Sequence, residues 1–137
     1  VLATEGTIKS ESYTLEIQKL YPDIKVSGVA CPFWVTVVFQ PHTYSRTKAL
    51  FDDFVDALML ADRIILTEIY AAREKNTIGI SSRDLEKALK EKGAEVTFFE
   101  NFDDIEKFIL ANCRSGELLI TMGAGNVDII GDSLLKK

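Results

Sequence analysis

The 137-residue sequence lacks long apolar runs and any clear basic surface. No apolar stretch approaches the roughly 20 residues that a membrane-spanning helix needs. No basic segment followed by an apolar one opens the chain, so no signal peptide is expected. The formal net charge is -5, which argues against nucleic acid or a membrane as a partner, because both attract basic surfaces.

Groups that commonly carry catalysis are also scarce. The chain has one histidine, His42, and two cysteines, Cys31 and Cys113, which fall in different predicted elements. The cysteines are expected to be free thiols of a reducing compartment. The sequence lacks the phosphate-binding pattern G-x-x-x-x-G-K-[S/T] and the residue spacing of a metal site. It also has no Ser-His-Asp or Cys-His constellation. The sequence therefore predicts no catalytic residue, no metal, no cofactor and no required partner.

Apolar strand-like segments alternate with amphipathic helical segments along the chain. The clearest strands centre on residues 37–39, 64–66, 96–99 and 118–120, and two more are predicted before residue 32. Helix starts are predicted at Ser81 or Ser82 and at Asn101, and Gly93 is predicted to end a helix. This alternation predicts a single α/β domain over residues 1–137. Its three-layer, mainly parallel Rossmann- or flavodoxin-like sheet would have five or six strands and helices on both faces.

The region of residues 31–38 is crowded for such a fold. Two strand-like segments follow each other with too few residues between them for a helical crossover. Either they pair antiparallel, or one of them is a loop or an edge strand.

Residues 37–47 read as a buried strand that runs into a helix. Pro41 cannot donate a ladder hydrogen bond, so the strand is predicted to end there. His42, Tyr44 and Arg46 then lie on the turn at the carboxyl end of the strand, where ligands bind in open α/β sheets. Arg46 offers a planar fork that suits a carboxylate or phosphate. A lone histidine more often packs locally, so local packing of His42 is the alternative.

Two further turns join a predicted strand to a predicted helix. Thr4 and Thr7 lie in a hydroxyl-rich turn that either binds a carboxylate or phosphate or is an ordinary capped turn. Gly123, Gly125 and Asn126 form only part of a G-x-G-x-x-G pattern. A tight turn with an Asn cap is favoured for them, and an anion-binding turn is the alternative.

From about residue 36 to the end, the chain resembles the C-terminal domain of the UDP-N-acetylmuramate–L-alanine ligases. The resemblance is carried by Phe39-Gln40-Pro41-His42, Tyr44-Ser45-Arg46, Leu50-Phe51-Asp52-Asp53-Phe54, Glu68-Ile69-Tyr70-Ala71-Ala72-Arg73-Glu74, Gly79-Ile80-Ser81-Ser82 and Thr121-Met122-Gly123-Ala124-Gly125. It implies a cytoplasmic domain that closes over a central ATP-binding domain, with His42, Tyr44 and Arg46 contributing to substrate contacts. The family usually has Arg after the His, where this chain has Thr43.

Residues 1–35 instead resemble an internal β-α-β fragment of glutamate racemase, through residues 3–10 and 29–33. That resemblance implies that Thr4 and Thr7 touch a substrate carboxylate. The two resemblances meet near residues 33–36, which suggests that the chain is an engineered or recombined chimera made by recombinant expression. Such a chimera would have no complete active site. The alternatives are a residual weak anion- or substrate-binding module and a fragment of an ATP-dependent amino-acid ligase. Whether the chain is a monomer or a homodimer is left open.

Overall fold

The computed structural model describes residues 34–136. The strands predicted before residue 32, the turn with Thr4 and Thr7, and Cys31 therefore lie outside the described residues, and the single domain over residues 1–137 stays a prediction. The described strands are β1 (Val35–Gln40), β2 (Arg63–Thr67), β3 (Val96–Phe99) and β4 (Leu118–Gly123). The helices are α1 (Tyr44–Ala49), α2 (Phe51–Leu58), α3 (Ser82–Glu91), α4 (Phe102–Asn112) and α5 (Asp128–Leu134).

The four strands form one sheet in the order β3-β2-β1-β4, and every neighbouring pair is parallel. In the middle of the sheet, Val38 lies opposite Ile65 on one side and Thr121 on the other. The four strands coincide with the four predicted between residues 37 and 120. The parallel α/β fold is thereby confirmed, and the fifth and sixth strands stay predictions.

The core lies on both faces of this sheet, because successive side chains of a strand point to opposite faces. One face packs strand residues against α2 and α3, and its buried members are Val37, Phe39, Val55, Leu58, Ile64, Leu66, Leu85, Leu89, Val96 and Phe98. The other face packs against α4 and α5, and its buried members are Val38, Ile65, Ile105, Ile109, Val127 and Ile130. Helices thus cover both faces, as the sequence predicts.

Local sequence signals place the starts of two helices. Ser81 caps α3 in a capping box, in which its hydroxyl accepts from Arg83 N–H and Asp84 accepts from Ser81 N–H. Asn101 caps α4, and its side-chain oxygen accepts from Asp104 N–H at 2.9 Å. Asn126 does not cap α5: the residue at that position is Val127, with no side-chain cap bond. The predicted Asn cap is therefore wrong.

Strand β4 lies at one edge of the described sheet and is only thinly covered. Leu118, Ile120 and Met122 share the sheet face of Val37 and Phe39 but are 38–43% exposed. Among residues 34–136, no helix is both long enough and apolar enough to cross a membrane.

Candidate functional site

The carboxyl ends of β1 and β2 stay linked beyond the strands themselves. Tyr70 N–H donates to the Pro41 carbonyl at 2.8 Å, and Thr43 N–H donates to the Tyr70 carbonyl at 2.9 Å. This pairing forms an isolated parallel bridge between His42 and Tyr70. Two chain segments 28 residues apart are thereby held side by side at the sheet edge where open α/β folds bind ligands.

The side chains of His42 and Tyr70 lie together at this edge. Their rings stack with centroids 5.9 Å apart and planes inclined by 16°. His42 is half-buried and Tyr70 is 41% exposed. Such a histidine can both pack locally and contact a ligand, because Tyr70 covers one face of its ring while part of its side chain is exposed to solvent.

A glycine-rich turn after β4 closes against the same edge. A Cβ atom at Gly125 would lie 2.3 Å from Gln40 Oε1 and 3.0 Å from the Tyr70 ring, and one at Gly123 would lie 2.7 Å from the Gln40 carbonyl oxygen. Both glycines are therefore needed for close approach. Gln40 is buried, and its Oε1 has no hydrogen-bond partner in the described part of the chain.

The other predicted anion-binding groups lie on α1 and beside it. Tyr44 and Arg46 fall within the helix and not on a turn, and Tyr44 is half-buried while Arg46 is exposed. Asn126 is also exposed. The structure thus brings His42, Gly123 and Gly125 together at one sheet edge, with Tyr44 and Arg46 one turn further along the chain. Thr4 and Thr7 lie outside the described residues.

Thr43 has an unusual backbone conformation, with φ 57° and ψ 149°. Residues other than glycine rarely adopt a positive φ, and such strain persists only where the surroundings enforce it. Here the Thr43 N–H is held by Tyr70, and the Thr43 carbonyl accepts from Thr47 N–H and from the Thr47 hydroxyl at 2.7 Å. The Thr47 side chain is fully buried, which anchors this corner of the edge.

The chain's own Glu74 carboxylate occupies the first turn of α1. It accepts from Ser45 N–H at 2.9 Å and from the Ser45 hydroxyl. The side-chain bond from Ser45 is the main reason that the pKa of Glu74 lies below its ordinary value, followed by the backbone bond from the same residue. Helix starts favour anions, and at α1 a carboxylate of the protein itself already accepts from the Ser45 N–H and hydroxyl groups.

Sequence reasoning did not select Tyr70, Glu74 or Gln40 as site residues, although all three lie in the stretches that resemble the ligase family. Tyr70 and Glu74 could have been found, because they follow β2 and parallel strands end at a common sheet edge. Among residues 34–136, no group of three or more His, Cys, Asp or Glu side chains is arranged to hold a metal ion. Cys113 is a free, half-buried thiol.

Comparison with known families and proteins adds an independent line of evidence. Residues 31–125 match the family model "Mur ligase, glutamate ligase domain". A UDP-N-acetylmuramate–L-alanine ligase of Lachnospira eligens is 59% identical over 102 residues, which cover 74% of this chain and 22% of that protein. The corresponding ligase of Caldanaerobacter subterraneus is 42% identical over 124 residues, covering 90% of this chain and 25% of that protein. The chain thus spans about a quarter or less of the length of these curated relatives.

Two solved structures share the fold. A UDP-N-acetylmuramate–alanine ligase from Thermotoga maritima matches with a TM-score of 0.58 and 21% identity, over 90% of this chain and 22% of that chain. A murein peptide ligase from Psychrobacter arcticus matches with a TM-score of 0.61 and 16% identity, over 91% of this chain and 24% of that chain. At these identities the likeness concerns the fold alone.

These comparisons support the predicted resemblance to the C-terminal ligase domain. They do not support a glutamate racemase fragment or a chimeric, engineered origin. The match to the Caldanaerobacter ligase covers so much of the chain that it must include part of residues 1–33. Similarity to ligases therefore extends across the predicted junction near residues 33–36.

Proposed function

We propose that this chain, which belongs to the Mur ligase family through its glutamate ligase domain, serves as the C-terminal domain of a UDP-N-acetylmuramate–L-alanine ligase. In this role it supplies part of a binding site for a small anion or an anionic substrate group. The observation that carries the proposal is the stacked His42–Tyr70 pair, which lies at the carboxyl edge of the parallel sheet beside the Gly123–Gly125 turn.

Arg46 is the group in this region best suited to bind an anion. It is exposed on α1, and its guanidinium carries N–H donors in a planar fork that matches the geometry of a carboxylate or phosphate. The rings of His42 and Tyr70 add a flat surface against which a ligand can rest. The α1 start itself adds little, because Glu74 already accepts from Ser45.

The chain alone is expected to bind weakly and not to catalyse ligation. Because Arg46 is the one cationic contact proposed for this site, we expect a dissociation constant of about 1 mM, equivalent to about 4 kcal/mol. Ligation driven by ATP depends on positioned phosphates and neutralised charge, and this sequence has no phosphate-binding loop of the usual pattern. In a longer ligase those parts would come from the remainder of the protein.

Replacing Arg46 by Ala is expected to weaken phosphate binding at least about fivefold, because the fork that contacts the anion is lost. The measurement is an NMR titration of the chain with inorganic phosphate and, separately, with UDP-N-acetylmuramate. Shifts should cluster at residues 42–46 and at Tyr70. The matched control is Arg114→Ala. Arg114 is also exposed, but it precedes β4 and so belongs to the amino ends of the strands, away from the carboxyl edge. Unchanged affinity in Arg46→Ala, or no shifts at tens of millimolar ligand, would contradict the proposed site.

A further inference from the structure

We infer that residues 68–81, between β2 and α3, form a hinged strap over the carboxyl edge, and that Glu74 is the catch that holds it closed on α1. Tyr70, which the backbone bridge to Pro41 and Thr43 holds beside His42, lies near the start of this strap. This inference concerns a conformational device within the chain, and it stands or falls independently of the ligand that the edge binds.

The two ends of the strap are held firmly. At its start, Glu68 Oε1 accepts from Ile69 N–H at 2.9 Å and from Ser82 N–H, in the first turn of α3, at 3.2 Å. Near its end, the Asn76 amide donates to the Ile80 carbonyl at 2.9 Å, and its oxygen accepts from Gly79 N–H and Ile80 N–H. Ile80 itself is buried, at 4% exposure. The Glu68–Ser82 bond ties the strap to α3, and the buried Ile80 side chain ties it to the core. The Asn76 bonds close a turn within the strap itself.

The middle of the strap has a different attachment. Between Tyr70 and Asn76, the strap is bonded to α1 through Glu74, which accepts from Ser45 N–H and the Ser45 hydroxyl and also from the Tyr44 backbone. Ala72 has a φ of 53°, which residues other than glycine rarely adopt. Arg73 and Lys75, on either side of Glu74, are exposed. A strained, exposed segment with one carboxylate as its catch opens at that catch first.

The catch also lies beside the stacked rings. His42 contributes electrostatically, as the smallest of the causes, to the lowered pKa of Glu74, and Tyr70 is bonded through its backbone to both Pro41 and Thr43. Tyr70 therefore connects the strap to the strained corner at Thr43. When Glu74 releases Ser45, residues 71–75 lose their hold on α1.

Glu74→Ala tests the catch in the full chain without any ligand. Because the Ser45 N–H loses a charged acceptor, its hydrogen exchange should accelerate about tenfold. Trypsin cleavage after Arg73 and Lys75 should accelerate about fivefold or more, since local opening governs access. Amide exchange of Ile65, in the core of β2, should not change.

Two further variants keep the test decisive. Ser45→Ala removes only the hydroxyl donor and should accelerate cleavage at the same two sites, by less than Glu74→Ala. Glu91→Ala is the matched control, because Glu91 is exposed on α3 and distant from this edge in the sequence, and it should change none of these readouts. The inference is overturned if Glu74→Ala leaves Ser45 exchange and cleavage unchanged. It is equally overturned if Ile65 exchange rises as much as Ser45 exchange, because the effect is then global.

Discussion

Gly123→Ala is expected to lower the free energy of unfolding by about 2 kcal/mol. The added Cβ would lie 2.7 Å from the Gln40 carbonyl oxygen, 3.0 Å from Gln40 Cβ and 3.1 Å from a methyl group of Val127. Gln40 and Gly123 are paired neighbours on β1 and β4, so the obstructing oxygen is part of the backbone and cannot move without separating the strands. Urea unfolding followed by circular dichroism would measure the loss.

Gly131→Ala is the matched control for this substitution. Gly131 lies inside α5, and among residues 34–136 a Cβ there would meet only the Thr121 hydroxyl at 4.0 Å, which is ordinary contact. Alanine is the better helix former, so this variant should gain about 0.5–1 kcal/mol. If both alanine variants changed stability by the same amount and in the same direction, the close approach of β4 to Gln40 would not be the cause.

Leu66→Ala is expected to cost about 3–4 kcal/mol of unfolding free energy, through lost burial and the cavity that remains. Leu66 is fully buried on β2, between Phe39 of β1 and Phe98 of β3. It belongs to the core face that α2 and α3 cover. Because β2 ends only one residue later and the strap begins at residue 68, this variant should also loosen the carboxyl edge. The midpoint of thermal unfolding and the unfolding free energy in urea both report the change.

Leu110→Ala provides the comparison for Leu66→Ala. Leu110 lies on α4 and is 57% exposed, so the same truncation should change stability by no more than about 0.5 kcal/mol. A large loss in Leu110→Ala, or a small one in Leu66→Ala, would be inconsistent with the two-faced core described above.

The elements and their order could be predicted from the sequence because their signals are local. Strand β2 is an apolar run, α3 begins with a Ser81–Asp84 capping box, and Gly93 ends that helix with a φ of 85°. Each of these signals depends on a few neighbouring residues. Helices on both sheet faces then follow from the alternation of strands and helices.

The site could be predicted only in part from the sequence, because its contacts join residues that are far apart along the chain. His42 and the glycine turn could be assigned to the carboxyl edge from strand ends alone. The stacking of Tyr70 on His42 depends on how the chain continues after β2, and the bond from Ser45 to Glu74 joins residues 29 positions apart. The predicted cap at Asn126 failed because α5 begins one residue later, after Val127.

The central claim, that this chain serves as a C-terminal ligase domain, is tested most directly by a graft. Residues 36–137 would replace the matching segment of the Lachnospira eligens ligase, with which the chain shares 59% identity over 102 residues. The measurement is ADP formation that depends on UDP-N-acetylmuramate and L-alanine, with the Arg46→Ala graft as the comparison. The account predicts turnover within about tenfold of the parent enzyme, a barrier difference of at most about 1.4 kcal/mol, and a clear loss in Arg46→Ala. A folded graft without turnover would contradict it.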